Sequence, residues 1–206
     1  MRFITPFVFL FLFSLSAEAR PDSLRQVYVH ILHGSKPRRE FRNEEYKMLG
    51  GMLGGHVVLQ VGDYAYGLNF HSRKVHPFAR KKKAKMAGIF EKEDAEPMVS
   101  RWKTDAKVTT LTIPLSATEY DSLQARCEHM HRNLDFDYAF FGMRCASTCY
   151  YMLGSAEVLP CGSHFKSIRK AFHPKQLRKK LVRLAKKRNY KIEVSPGSEK
   201  RKWEGD

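Results

Sequence analysis

The sequence predicts an α+β domain, because strand-like and helix-like segments are grouped along the chain rather than strictly alternating. Four segments rich in β-branched and apolar residues are typical of strands, at 27–34, 56–61, 64–70 and 107–115. Apolar residues at helical spacing follow at 116–132 and 144–154. We therefore expect a small antiparallel sheet packed against helices.

Residues 1–19 have the composition of a secretory signal peptide. Arg2 precedes the apolar run FITPFVFLFLFSL, and Ala17-Glu18-Ala19 forms an A-x-A cleavage site. The run is shorter than the roughly 20 residues that a membrane span needs. The protein is therefore predicted to be exported to a periplasmic or extracellular compartment.

The remaining chain is predicted to fold as one domain over residues 20–190. Within it, residues 71–106 are strongly charged and are interpreted as an insertion that contains at most a short helix anchored by Trp102. Residues 191–206 are polar and basic, which favours a flexible tail.

The formal net charge is +16, and two basic clusters account for much of it. RKKKAK lies at 80–85, and KQLRKKLVRLAKKRNYK spans 175–191. Clustered cations attract polyanions, which for an exported protein are cell-wall peptides, other acidic envelope components or an anionic membrane. Nucleic acid is a less natural partner there. The alternative is a solvated basic surface that only maintains solubility.

Several local patterns place the predicted elements. Gly62-Asp63 between two strand segments indicates a β-hairpin turn. Ser116 and Glu119 match a capping box at the start of a helix. The apolar face of that helix is predicted to carry Tyr120, Leu123, Cys127 and Met130. A basic helix at 177–188 has a narrow apolar stripe, which favours packing on the domain or lying on a membrane surface.

Cys145 is the candidate nucleophile. It follows a Gly-Met interruption and opens an apolar helix, where the helix N-terminus and the cation of Arg144 would lower the pKa of its thiol. Cys149, one turn further on, is the alternative nucleophile. His56, preceded by two glycines at the start of a strand, is the candidate base.

A third group is needed to orient the imidazole. Asn69 lies across the predicted hairpin from His56 and is our choice, with His71 as the alternative. Cys145, His56 and Asn69 together suggest a cysteine-protease-like site without a cofactor. A zinc site built from Cys127, His129, His131, Cys145, Cys149, Cys161 and His164 is a weaker alternative, because no standard ligand spacing occurs. Disulfides among the four cysteines are a further alternative in an oxidising compartment.

The motifs GGHVVLQVGDYAYGLNF and RCASTCYYML, in this order, resemble the circularly permuted papain-like superfamily. That group includes NlpC-type cell-wall hydrolases and lecithin–retinol acyltransferase-like proteins, and the similarity covers roughly 27–70 and 107–155. The resemblance implies a thiol hydrolase or acyl-transfer enzyme that cleaves amide or ester bonds, plausibly in cell-envelope peptides. The alternative is a non-catalytic, basic, envelope-binding module with structural cysteines.

Overall fold

The computed structural model describes residues 24–45, 51–70, 75–80, 86–160 and 162–205. Its strands are β1 Arg25–His33, β2 Ser35–Pro37, β3 Gly55–Val61, β4 Tyr64–Phe70, β5 Gly88–Asp94, β6 Val108–Leu115, β7 Ile192–Ser195 and β8 Arg201–Trp203. Its α-helices are α1 Ala95–Asp105, α2 Ala117–Arg132, α3 Cys145–Ser155, α4 His164–Lys170 and α5 Pro174–Arg188. Short 3₁₀ helices cover Arg39–Phe41 and Gly51–Leu53.

A six-stranded antiparallel sheet forms the centre of the fold, in the order β5-β4-β3-β1-β6-β7. In its middle, β1 pairs with β3 on one side and with β6 on the other. A second, two-stranded sheet joins β2 to β8. The prediction of an α+β domain with an antiparallel sheet is confirmed.

One face of the six-stranded sheet, here called the inner face, carries the main hydrophobic core. Val29, Ile31 and Val57 project from it and are at most 1% exposed. Helices α2, α3 and α5 pack on this face and contribute Leu123, Leu153 and Leu177 to the same cluster, among others. The burial of so many apolar side chains is the main stabilisation of the fold.

The opposite, outer face is covered only in part. Val58 and Ala65 project from it and pack against Met98 and Val99 of α1. Trp102 of α1 lies against this cluster and against a neighbouring one that contains Leu32. The prediction that Trp102 anchors its segment is confirmed.

Two glycines have conformations that other residues rarely adopt. Gly55, just before His56, has φ of 97°, and a side chain there would collide with the carbonyl oxygen of Leu32 at 2.2 Å. Gly62 has φ of 62° in the two-residue turn between β3 and β4. Gly55 thus allows β3 to begin in close contact with β1.

The predicted start of α2 is also confirmed. The Ser116 hydroxyl accepts a hydrogen bond from the Glu119 N–H, and the Glu119 carboxylate accepts one from the Ser116 N–H at 2.8 Å. All four residues of the predicted apolar face are buried: Tyr120, Leu123, Cys127 and Met130. A reciprocal cap and an apolar stripe therefore fix the position and the rotation of this helix.

The interpretation of residues 71–106 as an insertion is wrong for the part that the structure describes. Strand β5 is an edge strand of the main sheet, and α1 covers the outer face. Charged residues occur in β5 because its outward positions remain accessible, whereas Phe90 is buried in the core. The apolar content of this segment is low because only half of each element faces the protein.

The prediction of a flexible tail over 191–206 is also wrong for residues 192–205. Strand β7 extends the main sheet beside β6, and β8 pairs with β2. Trp203 and Glu204 are 3% and 2% exposed, and Glu204 forms an ion pair with Arg178 of α5 at 2.8 Å. The β-strand propensity of this segment is weak, and its strands are stabilised by pairing with strands that are distant in the sequence.

The predicted signal peptide, residues 1–19, lies outside the described residues. Among the helices of the described ranges, none combines the length and the apolar character that crossing a bilayer requires.

Candidate functional site

Cys145 is the first residue of α3, and Arg144 is its N-cap. The Ser147 hydroxyl accepts a hydrogen bond from the Arg144 N–H at 2.8 Å and so satisfies one donor of the first turn. The helix then runs through Ala146, Thr148 and other residues that are almost fully buried. The helix N-terminus that carries the sulfur therefore points into the protein.

The surroundings of Cys145 are dry and largely apolar. The residue is 7% exposed and borders a small enclosed cavity between α3 and the inner face of the sheet. Leu59, Leu68 and Cys149 also line this cavity. These residues and the helix itself shield most of Cys145 from solvent.

Opposing effects act on the Cys145 thiol, and burial is the largest of them. Desolvation raises the pKa of Cys145 above its usual value, because the thiolate loses its hydration. The backbone N–H of Val57 and the cation of Arg144 lower this pKa, as expected for a sulfur at a helix start, but by less. The net pKa is raised, so the predicted activation of the thiol is not achieved in this structure.

His56 lies on the outer face of the sheet. It pairs across strands with Leu32, which also faces outward, and its ring meets the ring of Trp102 edge to face at 5.9 Å between centroids. Its Nε2 lies over Gly67, where a side chain would contact it at 3.3 Å. This Nε2 is buried and has no hydrogen-bond partner among the described residues.

Burial also controls the titration of His56. The residue as a whole is half-buried, but the removal of its ring from water lowers its pKa from 6.5 to about 4. The imidazole is therefore neutral at pH 7. Neutrality would suit a general base, but no thiol of the described ranges lies within hydrogen-bonding distance of Nε2.

Asn69 is also on the outer face, and it does not orient His56. Its side-chain amide donates a hydrogen bond to the Glu91 carboxylate on the neighbouring strand β5. The alternative orienter, His71, lies outside the described residues.

The structure thus does not bring the three predicted site residues together. Val57 projects to the inner face toward Cys145, whereas the preceding residue, His56, projects to the outer face. The reason is the two-residue period of a strand, which sends neighbouring side chains to opposite faces. The proposed pairing of Cys145 with His56 and Asn69 is corrected accordingly.

Among the described residues, the other cysteines offer no better nucleophile. Cys149 and Cys127 are 4% and 0% exposed, and burial raises the pKa of both thiols. Cys127, Cys145 and Cys149 are all free thiols, while Cys161 lies outside the described residues. No group of three potential metal ligands occurs in the described ranges, which leaves the zinc alternative without support there.

Two surface features stand out instead of a catalytic centre. Helix α5 presents a row of basic side chains to solvent. Around the start of α3, exposed phenylalanines form a cluster together with Arg144. The sequence carries signals of both features, namely the run of cations at 175–191 and the Phe140-Phe141 pair, but only the first was interpreted as functional.

A scan against protein-family models finds no match for this chain, and searches of curated proteins and of solved structures find none either. The class of protein is therefore defined by the fold itself, an α+β domain with a six-stranded antiparallel sheet.

Proposed function

We propose that this protein is a non-catalytic module that binds anionic components of a cell envelope through the basic face of α5. The observation that carries the proposal is the unbalanced charge of α5 and of the residues that flank it. Residues 162–191 contain twelve Lys and Arg residues and no Asp or Glu. Such a concentration of one sign of charge creates a field that attracts polyanions.

The packing of α5 leaves most of its cations available. Leu177, Leu181 and Ala185 are buried against the inner face of the sheet. Arg178 is paired with Glu204, and no other basic residue of α5 has a carboxylate partner within the described part of the chain. Five cations are exposed along about three turns: Lys179, Arg183, Lys186, Lys187 and Arg188.

The proposal includes export and a distant relation to the permuted papain-like fold. The order of elements supports that relation, since the β3–β4 hairpin precedes a helix that opens at Cys145 and packs on both strands. A thiol hydrolase is not favoured, because His56 and Cys145 lie on opposite faces of the sheet. The cysteines then serve as small buried side chains.

Charge neutralisation tests this proposal. The test variant changes Lys179, Arg183, Lys186 and Lys187 to Gln, and the matched control changes four exposed cations near β2 and β8 to Gln: Lys36, Arg39, Arg42 and Lys202. Binding to soluble polyphosphate and polyglutamate is measured by titration calorimetry at low and high salt. We expect the test variant to weaken binding on the order of tenfold or more, and high salt to weaken binding of the unaltered protein.

The control separates a defined site from general attraction by net charge, because both variants lose the same charge. Equal weakening in both would contradict a role for the α5 face in particular. Unchanged binding in the test variant, or no binding by the unaltered protein, would overturn the proposal.

A further inference from the structure

Three exposed phenylalanines form a continuous apolar patch beside the start of α3. The exposed fractions of Phe78, Phe140 and Phe141 are 71%, 49% and 59%. The ring centroids of Phe78 and Phe141 are 5.8 Å apart, and those of Phe140 and Phe141 are 4.8 Å apart. With the half-buried Phe172, 6.4 Å from Phe140, these rings are here called the aromatic cluster. Exposed apolar patches of this kind mark interaction sites.

The backbone holds the aromatic cluster in place. The N–H groups of Phe140 and Phe141 donate hydrogen bonds to the carbonyl oxygens of His76 and Pro77, at 2.8 and 2.9 Å. These bonds join the two loops that carry the exposed rings. The rings are therefore presented to solvent by a fixed framework.

A buried carboxylate reinforces this framework. Asp137 is 0% exposed and accepts hydrogen bonds from the backbone N–H groups of Arg80, Ala87 and Gly88, at 3.0, 2.8 and 2.9 Å. It thus ties the loop after Phe78 to the start of β5. Hydrogen bonds to a buried charged group are among the stronger ones in proteins.

Cations surround the aromatic cluster. The guanidinium of Arg144 lies over the rings of Phe140 and Phe172, at 5.6 and 4.8 Å from their centroids. Arg80 follows two residues after Phe78 and is exposed. No Asp or Glu occurs in residues 71–85 or in 138–156. The charged residues of these two segments are therefore all positive, and the adjacent Asp137 is buried.

We propose that the aromatic cluster docks this protein on the surface of an anionic lipid bilayer, with its rings in the interfacial layer and Arg80 and Arg144 at the phosphate groups. A bilayer interface offers an apolar layer and anionic groups at the same depth, whereas a soluble polyanion gives the phenylalanines nothing to bury them. This inference deepens the proposed function, because the attraction by α5 is its first step and the lipid is the anionic component in question.

Vesicle partitioning tests the inference. The test variant combines Phe140→Ser with Phe141→Ser, and the control is Val194→Ser, an equally accessible apolar residue on β7, the strand at the other edge of the sheet from β5. Sedimentation with vesicles of equal parts phosphatidylglycerol and phosphatidylcholine gives the partition coefficient. We expect the double variant to lower it by about tenfold for each ring removed, and the control to leave it unchanged.

A second measurement reports insertion directly. In a Phe141→Trp variant, the tryptophan emission should shift to shorter wavelength on mixed vesicles and stay unshifted with soluble polyphosphate. Pure phosphatidylcholine vesicles should bind less, by roughly fivefold for each cation at the surface.

The outcomes separate this inference from the proposed function. If the double variant still binds polyphosphate but no longer binds vesicles, both the inference and the proposed function are supported. If the double variant binds vesicles as strongly as the unaltered protein does, the inference is overturned and the proposed function is not. Sedimentation velocity could instead show that the unaltered protein is a dimer and the double variant a monomer. That result would assign the cluster to a contact with a second copy of this chain and would also overturn the inference.

Discussion

The two faces of the six-stranded sheet differ in composition and in what covers them. Three helices enclose the inner face, where the buried side chains are mainly apolar and include Cys127 and Cys149. The outer face carries α1 and a polar network in which His30 hydrogen-bonds to Thr110 at 3.0 Å and to Gln60 at 2.8 Å. Neighbouring residues of one strand therefore project their side chains into two different environments.

This alternation of side chains between the two faces determines the environment of each candidate residue. Val57 offers its N–H to the Cys145 sulfur, while His56 is separated from the sulfur by the sheet itself. Burial acts on both groups in the direction that favours their neutral forms. A thiolate–imidazolium pair is therefore absent, and each group behaves as part of its own face.

The largest expected effect concerns thiol reactivity on the two faces. Cys145 on the inner side should react with a thiol-selective reagent at least about a thousandfold more slowly than a free cysteine, because the reagent requires global unfolding to reach it. A cysteine introduced on the outer side, Ser100→Cys at an exposed position of α1, should react at nearly the free rate. Mass spectrometry of timed reactions measures both.

If native Cys145 is labelled rapidly and His56→Ala abolishes that labelling, the expected difference in thiol reactivity between the two faces is contradicted. That result would restore the thiol-hydrolase interpretation that the geometry disfavours.

A matched pair of methionines compares the packing of the two faces. Met152 of α3 is 1% exposed in the main core, and Met98 of α1 is 6% exposed in the smaller outer cluster. We expect Met152→Ala to lower the free energy of unfolding by about 4 kcal/mol and Met98→Ala by about 2 kcal/mol. The smaller outer value follows because neighbours near the surface can relax into the space. Urea denaturation checks both, and equal losses would contradict the difference between the faces.

A further expected effect is the pH dependence from His56. Because burial lowers its folded pKa to about 4, below the ordinary value of 6.5, the unfolded chain binds one more proton between these values. Stability should therefore fall as pH drops from 6.5 to 4, by about 2–3 kcal/mol, and show no further loss from this group below pH 4.

His56→Leu should reduce this loss of stability at acid pH. Part of the loss that remains comes from His30, because burial also lowers the pKa of His30. Denaturation of both proteins at a series of pH values measures the effect. A His56 pKa near 6.5 by NMR titration would contradict the burial of its ring.

Local sequence signals were sufficient for part of the fold. The hairpin turn at Gly62-Asp63, the cap at Ser116 and the helix that begins at Cys145 all depend on residues close in sequence, and all occur in the structure. Strands β7 and β8 depend on pairing with residues far away in the sequence, so their short, charged segments gave no reliable local signal.

The candidate site failed for a related reason. In the run Val57, Val58, Leu59 every residue is buried, because α1 covers the outer face opposite the main core. A strand that is apolar on both faces has no visible alternation, so the sequence does not show which face His56 occupies. The assignment of Asn69 depended on the same face and failed with it.

Pairing of β2 with β8 has a consequence for the time at which this chain can fold. Arg201 donates to Ser35 across 166 positions, and β7, an edge strand of the main sheet, follows α5 in the chain. Contacts of such long sequence separation are slow to form, so a chain still emerging from the ribosome lacks the residues that complete its native state. The native sheets of this domain are thus completed only once β7 and β8 have been synthesised.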